Sequence, residues 1–380
     1  MTRINKNVAI IGAGASGSIC AYYLLKSGID VTIFDKGSPL RTLLPTGGGR
    51  CNLAHAEYDF RELAKNYPRG EKFLYSVFSK FSTSDTLDLF EEFGVKTYTQ
   101  EDGRIFPEAN SAKFVREKIL DHIGRNVVKE EVLNITLHKD GYKIKTTKAE
   151  YFFNHVVLAA GGHSGYSLAE NIGVNIVPPR PSLVGLNTKE NFKELSGTVV
   201  KNCTSEGLEG DLLFTHFGVS GPLIYKISSV KAFDEFPYEI EIDLCPTLED
   251  FQEVLNSNPH KEIKNILSNF LPQKVVKYVL SGMNETEKAH NINGKIRELI
   301  LEKIHHFKLN ITGANRGEET VTAGGVNLNE INPKTMEVKK HPKLYCIGEF
   351  LNIDGLCGGF NLQNAWSTAY IASTGILSDQ

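Results

Sequence analysis

Gly12-Ala13-Gly14-Ala15-Ser16-Gly17 places glycine at the G-x-G-x-x-G spacing, and Asp35 stands 18 positions after the last of the three. Glycines so placed can hold a pyrophosphate. Gly12 permits a tight turn, Gly14 lets backbone N–H groups approach the ligand, and Gly17 lets a helix pack close to a sheet. A carboxylate at Asp35 accepts hydrogen bonds from a ribose diol and repels a 2′-phosphate. A second bare backbone, Gly47-Gly48-Gly49, is followed at once by Arg50-Cys51-Asn52. That sets a cation, a thiol and an amide beside a point of close approach. Ala160-Gly161-Gly162 and Ile347-Gly348-Glu349 each end an apolar run, and Asp354 to Gln363 is glycine-rich again. This is dinucleotide-binding chemistry. The spacing alone does not separate FAD from NAD, and it names no substrate.

Such groups need elements to hold them. Val8-Ala9-Ile10-Ile11 is a β-branched run too short for a helix, and it leads straight into the first glycines. Ile19 to Leu25 has helical apolar spacing, Ser27-Gly28 stops it, and Val31 to Phe34 reads as the next strand. Helical periodicity runs from Phe60 to Phe93, and Val95 to Phe106 reads as a hairpin turning at Asp102-Gly103. Strands are predicted over Val127–Leu137, Tyr142–Thr147 and Tyr151–Ala159, and Pro178-Pro179-Arg180-Pro181 reads as a boundary. Beyond it come short strands, then a Lys-, Glu- and Asn-rich helical stretch, and from Glu319 the glycine-rich texture returns. Gly12, Gly161 and Gly348 each follow an apolar strand closely, so one edge of a parallel sheet can carry all three turns.

The 380 residues have room for two or three domains, and a net charge of −3 gives no electrostatic reason to bind nucleic acid. The chain enters its first strand almost at once, which predicts no leader, and no apolar run approaches the ~18 residues that would span a bilayer. Six dispersed cysteines without a C-x-x-C or zinc spacing suit a reducing cytoplasm. No metal site and no oligomeric state is legible.

Taken in order, these motifs resemble the two-domain FAD-dependent oxidoreductases of the glutathione-reductase class. More closely, the chain resembles the HI0933-like (BaiN-type) bacterial flavoproteins, some of which are named aminoacetone oxidases. The residues that carry the likeness are Gly12–Gly17 with Asp35, Gly47–Asn52, Val156–Ser164, Leu213–Pro222, Thr322–Val326 and Leu344–Trp366. The resemblance implies an α/β fold: a Rossmann-like FAD-binding domain over 1–185 and 321–380, interrupted by an inserted region over 186–320. Within the insert it implies a β-barrel from 186–247 with a return strand at 308–320, and a helical subdomain at 248–307. By position it sets Gly14, Ser16, Asp35, Arg50, Cys51, Asn52, Val132, Gly161, Gly348, Asp354 and Phe360 to Gln363 (with Asn361 and Leu362) against FAD. Gly12, Ala15, Gly17, Lys36, Gly48, Gly49, Ala160, Glu349 and Gly359 complete the expected set. Two features depart from the family pattern. The glycine-rich insert after the third strand is shortened to Gly162-His163-Ser164-Gly165-Tyr166, and the usual Glu-x-x-Asp is Glu349-Phe350-Leu351-Asn352.

The function so implied is an FAD oxidoreductase acting on a small organic substrate, with NAD(P)H as a transient reductant. An RNA-modifying flavoenzyme and a non-catalytic flavin sensor are the alternatives, and the acidic balance counts against RNA. His216 is a candidate general acid, against the ordinary alternative of a hydrogen-bonded structural histidine. Cys51 is a candidate redox thiol, but its distance in sequence from Cys357 favours two structural thiols.

Overall fold

The computed structural model describes residues 6–162, 164–315 and 321–379. His163 and residues 316–320 of the expected return strand lie outside that set. Two compact units divide the chain: Met1–Arg180 with Val321–Gln380, and Pro181–Thr320.

The first unit is built on five parallel strands: β1 (Asn7–Ile11), β2 (Asp30–Asp35), β3 (Val127–Lys129), β4 (His155–Leu158) and β5 (Leu344–Cys346). Their order is β5-β4-β1-β2-β3, with β1 in the centre. Val8 to Ile11, Val156 to Leu158 and Leu344 to Cys346 are all buried, as expected of strands covered on both faces. Helix α1 (Ala15–Lys26) follows β1, and α2 (Phe360–Ser378) closes the chain against it. Small residues on α2, Ala365, Ala369 and Ala372, are buried there. Trp366 is wholly buried, stands edge-on to Phe90 and donates to the Leu53 carbonyl (3.0 Å).

Three expectations shift in detail. Val127–Leu137 is two strands, because the chain leaves the parallel sheet after Lys129 and enters an antiparallel meander at Val132. Tyr151–Ala159 likewise breaks at Asn154, whose backbone and side chain exchange hydrogen bonds with Asn7 (2.8 and 3.1 Å). The proline-rich boundary is itself extended: Ile176–Ser182 pairs with Val321–Val326, so the segments leaving and re-entering the unit lie side by side. Proline is tolerated there because a two-stranded ribbon has free edges.

The second unit is a six-stranded antiparallel sheet in the order Val199–Ser205, Leu208–Phe214, Gly218–Ser220, Leu186–Thr188, Phe307–Ala314, Tyr238–Ile242. It curls until its ends meet. Thr204 N–H donates to the Asp243 carbonyl (3.0 Å) and Asp243 N–H donates back (2.9 Å), closing a small barrel. Phe192, Phe214 and Phe307 pack together in a core of its own, shared with the helices Phe251–Asn256, Ile263–Leu267, Gln273–Val279 and Gly294–His305. Among the described residues no helix is long and apolar enough to cross a membrane.

Candidate dinucleotide site

The parallel register brings the glycine turns together. Ile11 pairs with Phe34 on one side and Leu158 on the other, and Leu158 pairs with Cys346. Gly12, Ala159 and Ile347 therefore leave the sheet side by side, at the carboxyl edge where ligands of such sheets bind. Gly12 is left-handed (φ 106°), and a Cβ there would lie 2.3 Å from the Ala159 carbonyl oxygen. A Cβ on Gly17 would lie 2.0 Å from the Gly12 oxygen, so both are demanded by packing. Gly14 differs, because no atom stands within 4 Å of its would-be Cβ. It caps α1 with no side-chain acceptor, so the first-turn N–H groups of Ala15 and Ser16 remain for an anion.

Asp35 ends β2. Its Oδ2 accepts from Ala13 N–H (2.8 Å) and its Oδ1 from Gly37 N–H (2.7 Å), which holds the carboxylate rigid with further lone pairs on each oxygen for a diol. Asp35 pairs with Lys129 across the sheet, and the chain reaches Val132 three residues later, so Val132 belongs to this end of the edge. Lys36 faces Glu131 across the surface (3.5 Å). Ala160 and Gly161 follow β4, and Gly161 is left-handed (φ 80°) with open space over its Cβ position.

In the second glycine run, Gly47, Gly48 and Gly49 all have positive φ. A Cβ on Gly47 would meet the Phe106 ring at 2.7 Å, whereas Gly48 is open. Arg50 lies over Phe106 (4.1 Å to the centroid) and its Nε donates to the Gly47 carbonyl (3.1 Å). Cys51 is fully buried, and burial pushes its thiol up to about 12, so it stays protonated. Asn52 turns inward: its carboxamide accepts from Gly359 N–H (3.0 Å) and donates to the Ala54 and Ile105 carbonyls (3.0 and 3.2 Å).

The C-terminal run repeats this inward habit. Asp354 is wholly buried in an ion pair with Arg69. Asn361 exchanges two hydrogen bonds with the Gly355 backbone (2.9 Å each), and Gln363 is buried between Thr86 (3.0 Å) and Ser367 (2.9 Å). Phe360 is buried and stacks on His55, and Leu362 packs against the core. Gly348 is pressed against Ser16 (2.4 Å from a would-be Cβ to Oγ), and the Glu349 Oε1 accepts from Thr322 N–H (2.9 Å). Gly359, with positive φ, caps α2 without a side-chain acceptor. The side chains of Asn52, Asp354, Asn361 and Gln363 thus shape the backbone and point away from any ligand. Sequence reasoning missed their partners, Arg69, Tyr67 (whose hydroxyl donates to the Phe360 carbonyl, 2.6 Å) and Thr368 (whose Oγ1 accepts from Gly348 N–H, 2.9 Å). No local motif marks these three.

Open backbone at Gly14, Gly48 and Gly161, with two uncapped helix starts, leaves a long anionic ligand both room and donors. FAD fits such a cradle. His216 lies in the other unit, on the turn between the strands Leu208–Phe214 and Gly218–Ser220. Thr215 pins that turn, its N–H donating to the Gly218 carbonyl (2.9 Å) and its Oγ1 accepting from Gly218 N–H (3.2 Å). His216 is exposed and, among the described residues, has no hydrogen-bond partner, which removes the structural-histidine alternative. His305 and His306 instead bond Asp243 and Glu241 (2.9 and 2.8 Å), and the described residues hold no metal-ligating cluster.

Three relatives match nearly end to end. Two are named ribosomal RNA dihydrouridine synthase: one from Haemophilus influenzae (32% identical, 99% of each chain) and one from Escherichia coli (30% identical, 97% of each chain). The third, from Clostridium scindens, is named 3-dehydro-bile acid delta(4,6)-reductase (29% identical, 96% of this chain and 97% of that one). The family model described as the HI0933-like protein Rossmann domain matches residues 6–375, a span that takes in every glycine turn described above. The backbone cradle is accordingly an FAD site, and the chain belongs to the HI0933-like family of FAD-dependent oxidoreductases.

Proposed function

We propose that this protein is a flavin-dependent reductase of a carbon–carbon double bond conjugated to a carbonyl, and that its substrate is a uridine in ribosomal RNA. The observation that carries this reading is full-length similarity to two relatives named for dihydrouridine synthesis. Dihydrouridine is uridine with its 5,6 double bond reduced, and that bond is conjugated to the C4 carbonyl. A delta(4,6)-reductase acting on a 3-dehydro substrate reduces double bonds in conjugation with a ketone, so the chemistry suggested by all three names is the same.

In this reading FAD supplies a hydride to the carbon β to the carbonyl, and a nicotinamide donor restores it. The protein must then deliver a proton to the α carbon. His216, exposed and unpartnered on a pinned turn, is the side chain proposed for that transfer. Charge argued against RNA when summed over the whole chain. It is unevenly spread: residues 261–308 hold nine Lys and Arg against five Asp and Glu. A local basic excess is what phosphate contacts require, whatever the net charge.

The test is to incubate the holoenzyme with NADPH and unmodified ribosomal RNA and to look for uridines heavier by two hydrogens. Turnover of a small conjugated enone with no mass gain in RNA would favour the second reading, a small-molecule reductase like the C. scindens relative. Absence of both would sink the proposal. His216→Asn should lower turnover by about 10²- to 10⁴-fold with FAD content unchanged.

A further inference from the structure

We propose that the Tyr166 hydroxyl is a cofactor ligand, donating a hydrogen bond to an acceptor oxygen or nitrogen of bound FAD. Tyr166 belongs to none of the glycine motifs. It opens the short helix Tyr166–Glu170, on the loop that leaves β4 through Ala160 and Gly161. Its ring stacks on Phe350 (centroids 5.1 Å, planes 21° apart), which follows Gly348 and Glu349 on the loop leaving β5. The phenol therefore bridges two neighbouring exits at the carboxyl edge of the sheet. The loop is drawn tight there: Ser164 Oγ donates to the Ala160 carbonyl (3.3 Å), and a Cβ on Gly165 would lie 2.8 Å from the Ala160 Cβ.

The hydroxyl oxygen is sealed from solvent and has no hydrogen-bond partner among the described residues. A buried donor left unpaired is costly, and native proteins rarely tolerate one. The neighbouring carboxylate does not meet the need. Glu349 makes its bond to Thr322 N–H and acts on Tyr166 only through its field, which adds to burial in pushing the phenol's ionisation up. Tyr166 therefore stays protonated and can only gain by donating. On the same loop the space over Gly161 is empty of protein atoms, so a ligand lying along the edge can bring an acceptor to it. Other phenols of this unit are already satisfied. The Tyr142 hydroxyl donates to the Pro342 carbonyl (2.7 Å) and the Tyr67 hydroxyl to the Phe360 carbonyl.

The contrast with Tyr142 supplies the test. Tyr166→Phe keeps the ring and its stack on Phe350 and removes only the unpaired group. The deflavinated variant should melt at or above the wild-type temperature, while FAD binding, followed by fluorescence quenching, weakens by about tenfold. Tyr142→Phe is the internal standard for a structural phenol, with a lower melting temperature for the deflavinated protein and unchanged FAD affinity. If Tyr166→Phe behaves as Tyr142→Phe does, or leaves FAD affinity unaltered, the proposal is overturned. Neither readout depends on turnover, so failure here is separate from failure of the substrate reading.

Discussion

The two units treat polar residues in opposite ways. Around the parallel sheet, Asn52, Asp354, Asn361 and Gln363 turn their side chains into the protein and leave main-chain N–H groups and bare glycines at the edge. In the inserted barrel, the Thr215–Gly218 turn keeps its backbone to itself and presents the His216 side chain outward. A cofactor common to many reactions is suited to recognition by fixed backbone dipoles, which side-chain substitution barely alters. Substrate chemistry is suited to side chains on a rigid turn, where one residue can change without disturbing a core.

The sharpest way to break this contrast is at two glycines of one motif. Gly17→Ala drives a Cβ to 2.0 Å from the Gly12 oxygen and should cost the fold of the first unit altogether, seen as lost cooperative melting. Gly14→Ala meets open space and should leave a folded apoprotein that has lost most of its FAD, read from the flavin absorbance of the purified protein. Equal damage from both would show that Gly14 is structural. Next in size is the buried pair. Asp354→Ala strands the Arg69 guanidinium and should lower stability by about 3–5 kcal/mol in denaturant unfolding, with FAD lost only as the protein unfolds. Direct loss of FAD from a protein of normal stability would return Asp354 to the ligand set.

Thiol reactivity is a smaller effect. Cys51 is buried with its thiol held near 12, whereas Cys357 is exposed. Iodoacetamide at pH 8 should label Cys357 and spare Cys51 in the native protein, as mass spectrometry of peptides would show. Prompt labelling of Cys51 would reopen a redox role for it.

The smallest effect is also opposed between the units. Burial lowers the His155 pKa in the first unit, although its bond to Asp379 (3.0 Å) works the other way. Its unfolded form then binds more protons, so its contribution is full above about 6.5 and falls as pH drops toward the folded value. In the second unit the bond to Glu241 raises the His306 pKa. That contribution is full below about 6.5 and is lost as pH rises through the folded value. Hydrogen exchange resolved by segment, compared at pH 6 and pH 7.5, should show the first unit less protected and the second more protected at the lower pH. His155→Gln and His306→Gln should each flatten the response of its own unit.

Much of this molecule is written locally. The β-branched run before Gly12, the glycine spacing and the acid after Phe34 describe a strand, turn, helix and strand within thirty residues, because those preferences act between near neighbours. The three glycine-terminated strands could be aligned on one edge for the same reason, since parallel pairing leaves their ends in step. Side-chain direction was not written there. Asn52 and Gln363 look like ligands beside glycine, and only contacts with Gly359 and Thr86, hundreds of positions away, turn them inward. The Arg69–Asp354 pair spans 285 residues and the closure of the barrel joins Thr204 to Asp243, neither of which leaves a mark in any short window. Local sterics and periodicity choose the elements. The orientation of a polar side chain is settled by whichever buried donor or acceptor most needs it, and that partner is known only when the chain has folded.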